Sequence, residues 1–153
     1  VQYFGFIFLS TVAGYVGGSG VSARMASRYD SQQTMLLGAL LCLLTTIIMW
    51  TGATLLTNNI WILMLPMTIY AVGMGLVLPH AMAIALAPFP HIAGTASALL
   101  GFIQMGLSAI GTAAVGAMLK DSPQPMLAAM FVINLAAVIL SLKAYRQYRS
   151  QLT

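Results

Sequence analysis

From Ser31 to Leu119 the chain contains no Asp, Glu, Lys or Arg. A soluble domain covers its surface with charged groups at about a quarter of its residues, whereas 5% of these 153 residues are charged and 60% are hydrophobic. Hydrocarbon, not water, is the solvent that tolerates such a surface. A water-soluble domain and a disordered chain are therefore excluded. So is a nucleic-acid binder, because a net charge of +4 spread along the chain is too little to track phosphates. The lone Cys42 lies in an apolar run and rules out a disulfide framework. Two Asp, two His and one Cys make no acid–base pair, nucleophile relay or metal-ligand cluster. No enzyme, catalytic residue or metal site is expected.

A helix needs about 20 apolar residues to cross the hydrocarbon core. Five segments qualify: 3–23, 34–56, 60–87, 94–119 and 126–142. The expected fold is all-α, a polytopic transmembrane bundle of five spans. Its connections are short, with Asn58-Asn59 as a tight turn and Pro88 and Pro90 breaking the helix at the opposite face. Short connections make successive helices alternate in direction. Arg24 and Arg28 follow the first span, and Lys143, Arg146 and Arg149 follow the fifth. Both groups fall on one face, with Lys120 opposite, and the excess of positive charge assigns that face and the C-terminus to the cytoplasm. Trp50 and Trp61 bracket the outer ends of the second and third spans, where an aromatic belt would place them. Val1-Gln2 leads directly into apolar residues without a charged n-region or a small-residue cleavage pattern. That start reads as the continuation of a longer membrane protein rather than as a signal peptide.

Small residues mark where helices touch in lipid. Ser10, Gly14, Gly18 and Ser22 form one stripe of the first span and read as a packing seam. In the fourth span Ser97, Gly101, Gln104, Ser108 and Thr112 share a face. An unpaired amide in lipid costs several kcal/mol, so Gln104 is either an interhelical clamp or a ligand-facing group. Asn134 in the fifth span offers the same choice. In the third span the ring of Pro79 crowds the carbonyl of Gly75, four residues earlier, which builds in a bend. His80 lies toward the cytoplasmic end of that span, where water would reach it. Without an intramembrane carboxylate partner it makes a poor proton-coupling site. His91 reads as a solvated loop residue.

The stretch Gly73-Met74-Gly75-Leu76-Val77-Leu78-Pro79-His80-Ala81-Met82-Ala83, followed by Ala87-Pro88-Phe89-Pro90-His91-Ile92-Ala93-Gly94-Thr95-Ala96-Ser97-Ala98-Leu99-Leu100-Gly101, resembles drug:proton antiporters of the major facilitator superfamily. Within them it is most similar to the bicyclomycin- and chloramphenicol-resistance (Bcr/CflA) type. The resemblance implies a twelve-helix protein of two six-helix halves, in the bacterial inner membrane, of which this chain is part of the C-terminal half, helices eight to twelve. The implied function is export of small, partly apolar drugs in exchange for protons by alternating access. The partners are then the substrate, protons, the lipid bilayer and the missing N-terminal half. The energy source is the proton gradient, with no cofactor. Tyr70, Met74, Gln104 and Ser108 would help line the substrate cavity, and Gly75 and Pro79 would form a helix hinge.

Gly20-Val21-Ser22-Ala23-Arg24-Met25-Ala26-Ser27-Arg28 resembles the degenerate second copy of the family's cytoplasmic gating loop, with Arg24 and Arg28 as its basic residues. The acidic residue of the first copy has no counterpart, and Asp30 stands where relatives usually have Gly. His80 stands where relatives often have Asn, and the coupling carboxylates would lie in the missing half. A rival reading from another class is a non-transporting assembly module, a truncated five-helix protein that works by packing against a partner.

Overall fold

The computed structural model describes residues 4–55, 61–118 and 124–150. It contains five long helices: α1 (Phe4–Met25), α2 (Ser31–Leu55), α3 (Trp61–Leu86), α4 (Ala93–Met118) and α5 (Gln124–Ser150). A single 3-10 turn, Pro90–Ile92, precedes α4 and has a proline at its start, where the missing N–H is not needed. Four segments are long and apolar enough to cross a membrane: Ser31–Thr54, Met64–Leu86, Pro90–Ala117 and Met126–Ser150. The chain is an all-α transmembrane bundle. α1, where a fifth span is expected, has 22 residues and at 1.5 Å per residue is about 33 Å long.

Two helix boundaries differ from the apolar runs that suggested them. α2 starts at Ser31 because the carbonyl of Asp30 accepts the Thr34 N–H at 3.1 Å and so opens the helical ladder inside the polar segment. α5 continues to Ser150, past the expected end at 142. Ala, Lys, Arg and Gln in that stretch are good helix formers, and basic side chains at a span end can extend toward water. Hydropathy marks where the hydrocarbon ends, and the backbone continues regardless. The Asn58-Asn59 turn and Lys120 lie outside the described residues, as does the side chain of Trp61.

α3 is the centre of the packing, with α1 on one side and α2 on the other. Gly73 and Gly75 are two residues apart and therefore point to nearly opposite sides of the helix. A methyl group on Gly75 would meet the Tyr15 carbonyl oxygen at 2.5 Å and the Ser19 nitrogen at 2.7 Å on α1. One on Gly73 would meet Cys42 Sγ at 2.6 Å and the Gly38 oxygen at 3.1 Å on α2. The partners are small too. A Cβ on Gly14 would lie 2.6 Å from the Thr68 oxygen, and one on Gly18 would run into the Val72 backbone. Ser22 is buried, and Ser10 accepts a hydrogen bond from the Thr68 hydroxyl at 3.3 Å. The stripe Ser10, Gly14, Gly18 and Ser22 is thus a seam against α3.

The pairings also give direction. Positions 10, 14 and 18 of α1 meet 68, 71 and 72 of α3 in rising order, so these helices are parallel. Gly38 meets Val77, and Cys42 meets Gly73 and donates to the Tyr70 carbonyl at 3.7 Å, so α2 is antiparallel to α3. α5 is antiparallel to α2: Trp50 packs edge-on against Phe131, with ring centroids 6.0 Å apart, and Thr46 meets Asn134. α3 remains one helix through Pro66 and Pro79; bilayer-spanning helices tolerate proline where neighbours and local adjustment satisfy the freed carbonyls. α4 is different, since none of its described side chains is buried.

In the full-length protein, Gly18→Ala is expected to lower stability by about 1–3 kcal/mol, the usual range for overpacking. Gly17→Ala, whose Cβ meets nothing within 4 Å, is expected to be neutral or to stabilise by up to about 1 kcal/mol through helix propensity. Equilibrium unfolding in mixed micelles measures both, and equal effects would remove this seam as a constraint.

Candidate functional site

α3, α4 and α5 enclose an open cleft of about 930 Å³, within the range that drug-sized ligands occupy. Leu78, Ala81, Met82 and Ala85 supply the α3 wall, Met126 and Ile133 come from α5, and α4 supplies the rest. The α3 residues follow the spacing of one helical face. Along α4, Gln104, Ser108 and Thr112 place an amide and two hydroxyls among leucines, valine and glycines. Among the described residues the lining contains no charged and no aromatic side chain. Chemically, the cleft can surround an apolar body and offer it a few neutral hydrogen-bonding groups.

Of the four cavity residues expected from the resemblance, Gln104 and Ser108 line this cleft, and Tyr70 and Met74 do not. Gln104 is exposed on the cleft wall, so the clamp that its sequence position allowed is not formed among the described helices. Asn134 forms one instead. It is 5% exposed, and its Nδ2 donates to the Met130 carbonyl at 2.8 Å and to Thr46 Oγ1 at 3.2 Å, with Tyr70 Oη at 3.5 Å. The Thr46 hydroxyl in turn donates a hydrogen bond to the Cys42 carbonyl at 2.8 Å. Three helices therefore meet at one satisfied polar cluster, with the Tyr70 hydroxyl at its edge.

Gly75 belongs to the α1 seam, and Pro79 is exposed on α3. Arg24 and Arg28 are exposed at the end of α1 and in the turn that follows, around a separate cleft of about 500 Å³ with Ser27 and Tyr29. His80 differs from its expected wet position. It is 5% exposed, and its Nε2 has no hydrogen-bond partner among the described residues. The reason is its register: it lies one turn beyond Leu76 and Val77, on the face of α3 that packs against Gly38 of α2. Among the described residues no three His, Cys, Asp or Glu side chains gather as a metal site would require.

Sequence reading missed Thr46 and the α3 wall of the cleft. Thr46 carried a weak signal, as a hydroxyl in mid-span that needs a partner. The α3 wall carried none, because that helix is apolar on every side.

Comparison with known proteins bears on what this arrangement is for. The chain is 29% identical over 137 residues to "Multidrug resistance protein D" of Escherichia coli (strain K12), covering 88% of this chain and 33% of the relative. It is 27% identical over 146 residues to the "Bicyclomycin resistance protein homolog" of Haemophilus influenzae, covering 95% of this chain and 35% of that protein. The chain is a homologue of bacterial drug-resistance proteins. The two relatives support the resemblance to Bcr/CflA-type antiporters, at modest identity. This homologue spans about a third of the length of the curated relatives it matches. No family model and no solved structure matches it.

The polar cluster is expected to give a measurable coupling. A double-mutant cycle with Asn134→Ala and Thr46→Val should return about 0.6 kcal/mol, and up to about 1.7 kcal/mol, by equilibrium unfolding. Strict additivity would mean that the bond contributes nothing to holding α2 against α5.

Proposed function

We propose that this chain is part of the C-terminal half, helices eight to twelve, of a secondary transporter that exports small, partly apolar compounds in exchange for protons. The observation that carries this reading is the alignment of nearly the whole chain with two proteins named for drug resistance, each about three times as long. Two structural features support it. The cleft between α3, α4 and α5 has the size and neutral lining that such a compound needs. None of the described side chains of α4 is buried, and Gly101 and Gly106, with nothing within 4 Å of an added Cβ, leave room for further helices to approach closely.

In this reading Gln104 and Ser108 bind the substrate directly, and Thr112 extends the same polar line. Tyr70 and Met74 continue the stripe of Leu78 toward the start of α3, at i−8 and i−4, where the central cavity of the complete protein would reach them. Alternating access is a rocking of the two halves. Gly75 lets α3 lie close against α1, and Pro79 weakens the helix one turn later, so the two together act as the hinge. Arg24 and Arg28 hold the closed contacts of the cytoplasmic gate. Protons drive the cycle through carboxylates in the rest of the protein, and no cofactor is required. The protein resides in the bacterial inner membrane, with both basic groups and the C-terminus in the cytoplasm.

The test is export from cells carrying the full-length protein. Gln104→Leu and Ser108→Ala each remove one hydrogen bond, about 0.5–1.5 kcal/mol, so each is expected to weaken apparent substrate affinity about two- to tenfold. Pro79→Ala is expected to slow turnover at unchanged affinity. Wild-type export in all three variants would take these residues out of the mechanism.

A further inference from the structure

A third concave surface lies between the first turns of α2 and the last turns of α5. Its volume is about 430 Å³, and it is lined by Leu36, Leu142, Tyr145, Arg146, Arg149 and Ser150. The α5 members at 142, 145, 146 and 149 follow i, i+3, i+4, i+7 spacing and so occupy one face of the helix. The antiparallel register set by Trp50 with Phe131 and Thr46 with Asn134 brings Leu36 to their level. The cleft is therefore graded along the helix. Leu142 forms its apolar end, Tyr145 follows with Leu36 facing it from α2, and two guanidinium groups and a hydroxyl stand where the span ends at Ser150.

A phospholipid presents the same order, acyl chain, glycerol and phosphate. Guanidinium forks match phosphate oxygens in a bidentate geometry. Tyrosine favours the headgroup level of a bilayer. The first turn of α2, the positive end of its dipole, lies at the same end of the cleft and adds to the potential there. None of the six described lining residues is acidic. Free inorganic phosphate shares the anion chemistry, but it would leave Leu36 and Leu142 uncovered.

We propose that this cleft binds an anionic phospholipid, with its phosphate between Arg146 and Arg149 and an acyl chain along Leu36 and Leu142. The site depends on the chain spanning a membrane and not on its exporting drugs. Lipid bound there would tie the last turns of α5 to α2 and hold the α2–α5 pair at a fixed depth.

The experiment is native mass spectrometry of the full-length protein in detergent, titrated with phosphatidylglycerol, with phosphatidylcholine and with inorganic phosphate. Phosphatidylglycerol is expected to bind about tenfold more tightly than phosphatidylcholine. Arg146→Gln or Arg149→Gln should weaken it about fivefold each, the effect of one basic residue near the surface, and Arg146→Lys should weaken it less. Lys143→Gln removes the same charge from an exposed residue outside the cleft and should weaken binding less than Arg146→Gln does, because it leaves the phosphate contacts in place. An equal loss from Lys143→Gln and Arg146→Gln would reduce the effect to general membrane electrostatics and overturn the site. So would equal binding of phosphatidylcholine, or displacement of phosphatidylglycerol by millimolar inorganic phosphate.

Discussion

Helices in hydrocarbon gain nothing from hiding apolar side chains against each other, because lipid tails are as apolar as leucine. What remains is the closeness of contact, and in this chain closeness depends on Gly73 and Gly75. One turn of α3 touches α2 through the first and α1 through the second, near enough that a methyl group at either would collide with a neighbour. The parallel α1–α3 and antiparallel α2–α3 pairings follow from these contacts. So does the position of Tyr70, one turn before Gly73 on the α2 side, where it reaches Asn134 of α5.

The same scarcity of binding forces explains why so few polar groups occur and why they gather as they do. Asn134, Thr46 and the carbonyls of Met130 and Cys42 satisfy one another where three helices meet. Gln104, Ser108 and Thr112 instead face a cleft whose other walls are aliphatic. An amide paired inside the bundle fixes helix positions, whereas an amide on a cleft wall remains available to a ligand. That contrast separates the structural polar residues from the candidate binding ones. Among the described residues charge is kept to the helix ends and the turn after α1, with Lys143, Arg146 and Arg149 all in the last turns of α5.

Much of the fold was legible in the sequence. The absence of charge announced the solvent, the lengths of the apolar runs located the five helices, and i, i+4 spacing of small residues identified the α1 seam. Helix ends were less legible: α5 outlasts its apolar run because helix propensity and hydropathy are separate properties of Lys143, Ala144 and Arg146. The candidate site was half legible. Gln104 and Ser108 stood out as polar residues in lipid, but Leu78 and Met82 on the facing wall looked like every other apolar residue of α3. His80 appeared wet from its place near a span end and is buried by the register of α3 against α2.

Composition and periodicity alone therefore determined the environment, the number of helices and the residues that had to find a polar partner or face a ligand. Which partner each one found was decided only in three dimensions. Asn134 and Gln104 are both amides in mid-span, and nothing local distinguishes them. The first lies where α2 and α3 converge on α5, and the second lies on a helix that stands apart. Intrinsic preferences act over a few residues, whereas a hydrogen bond across 88 positions of chain exists only once the close contacts at Gly73 and Gly75 have set where each helix runs.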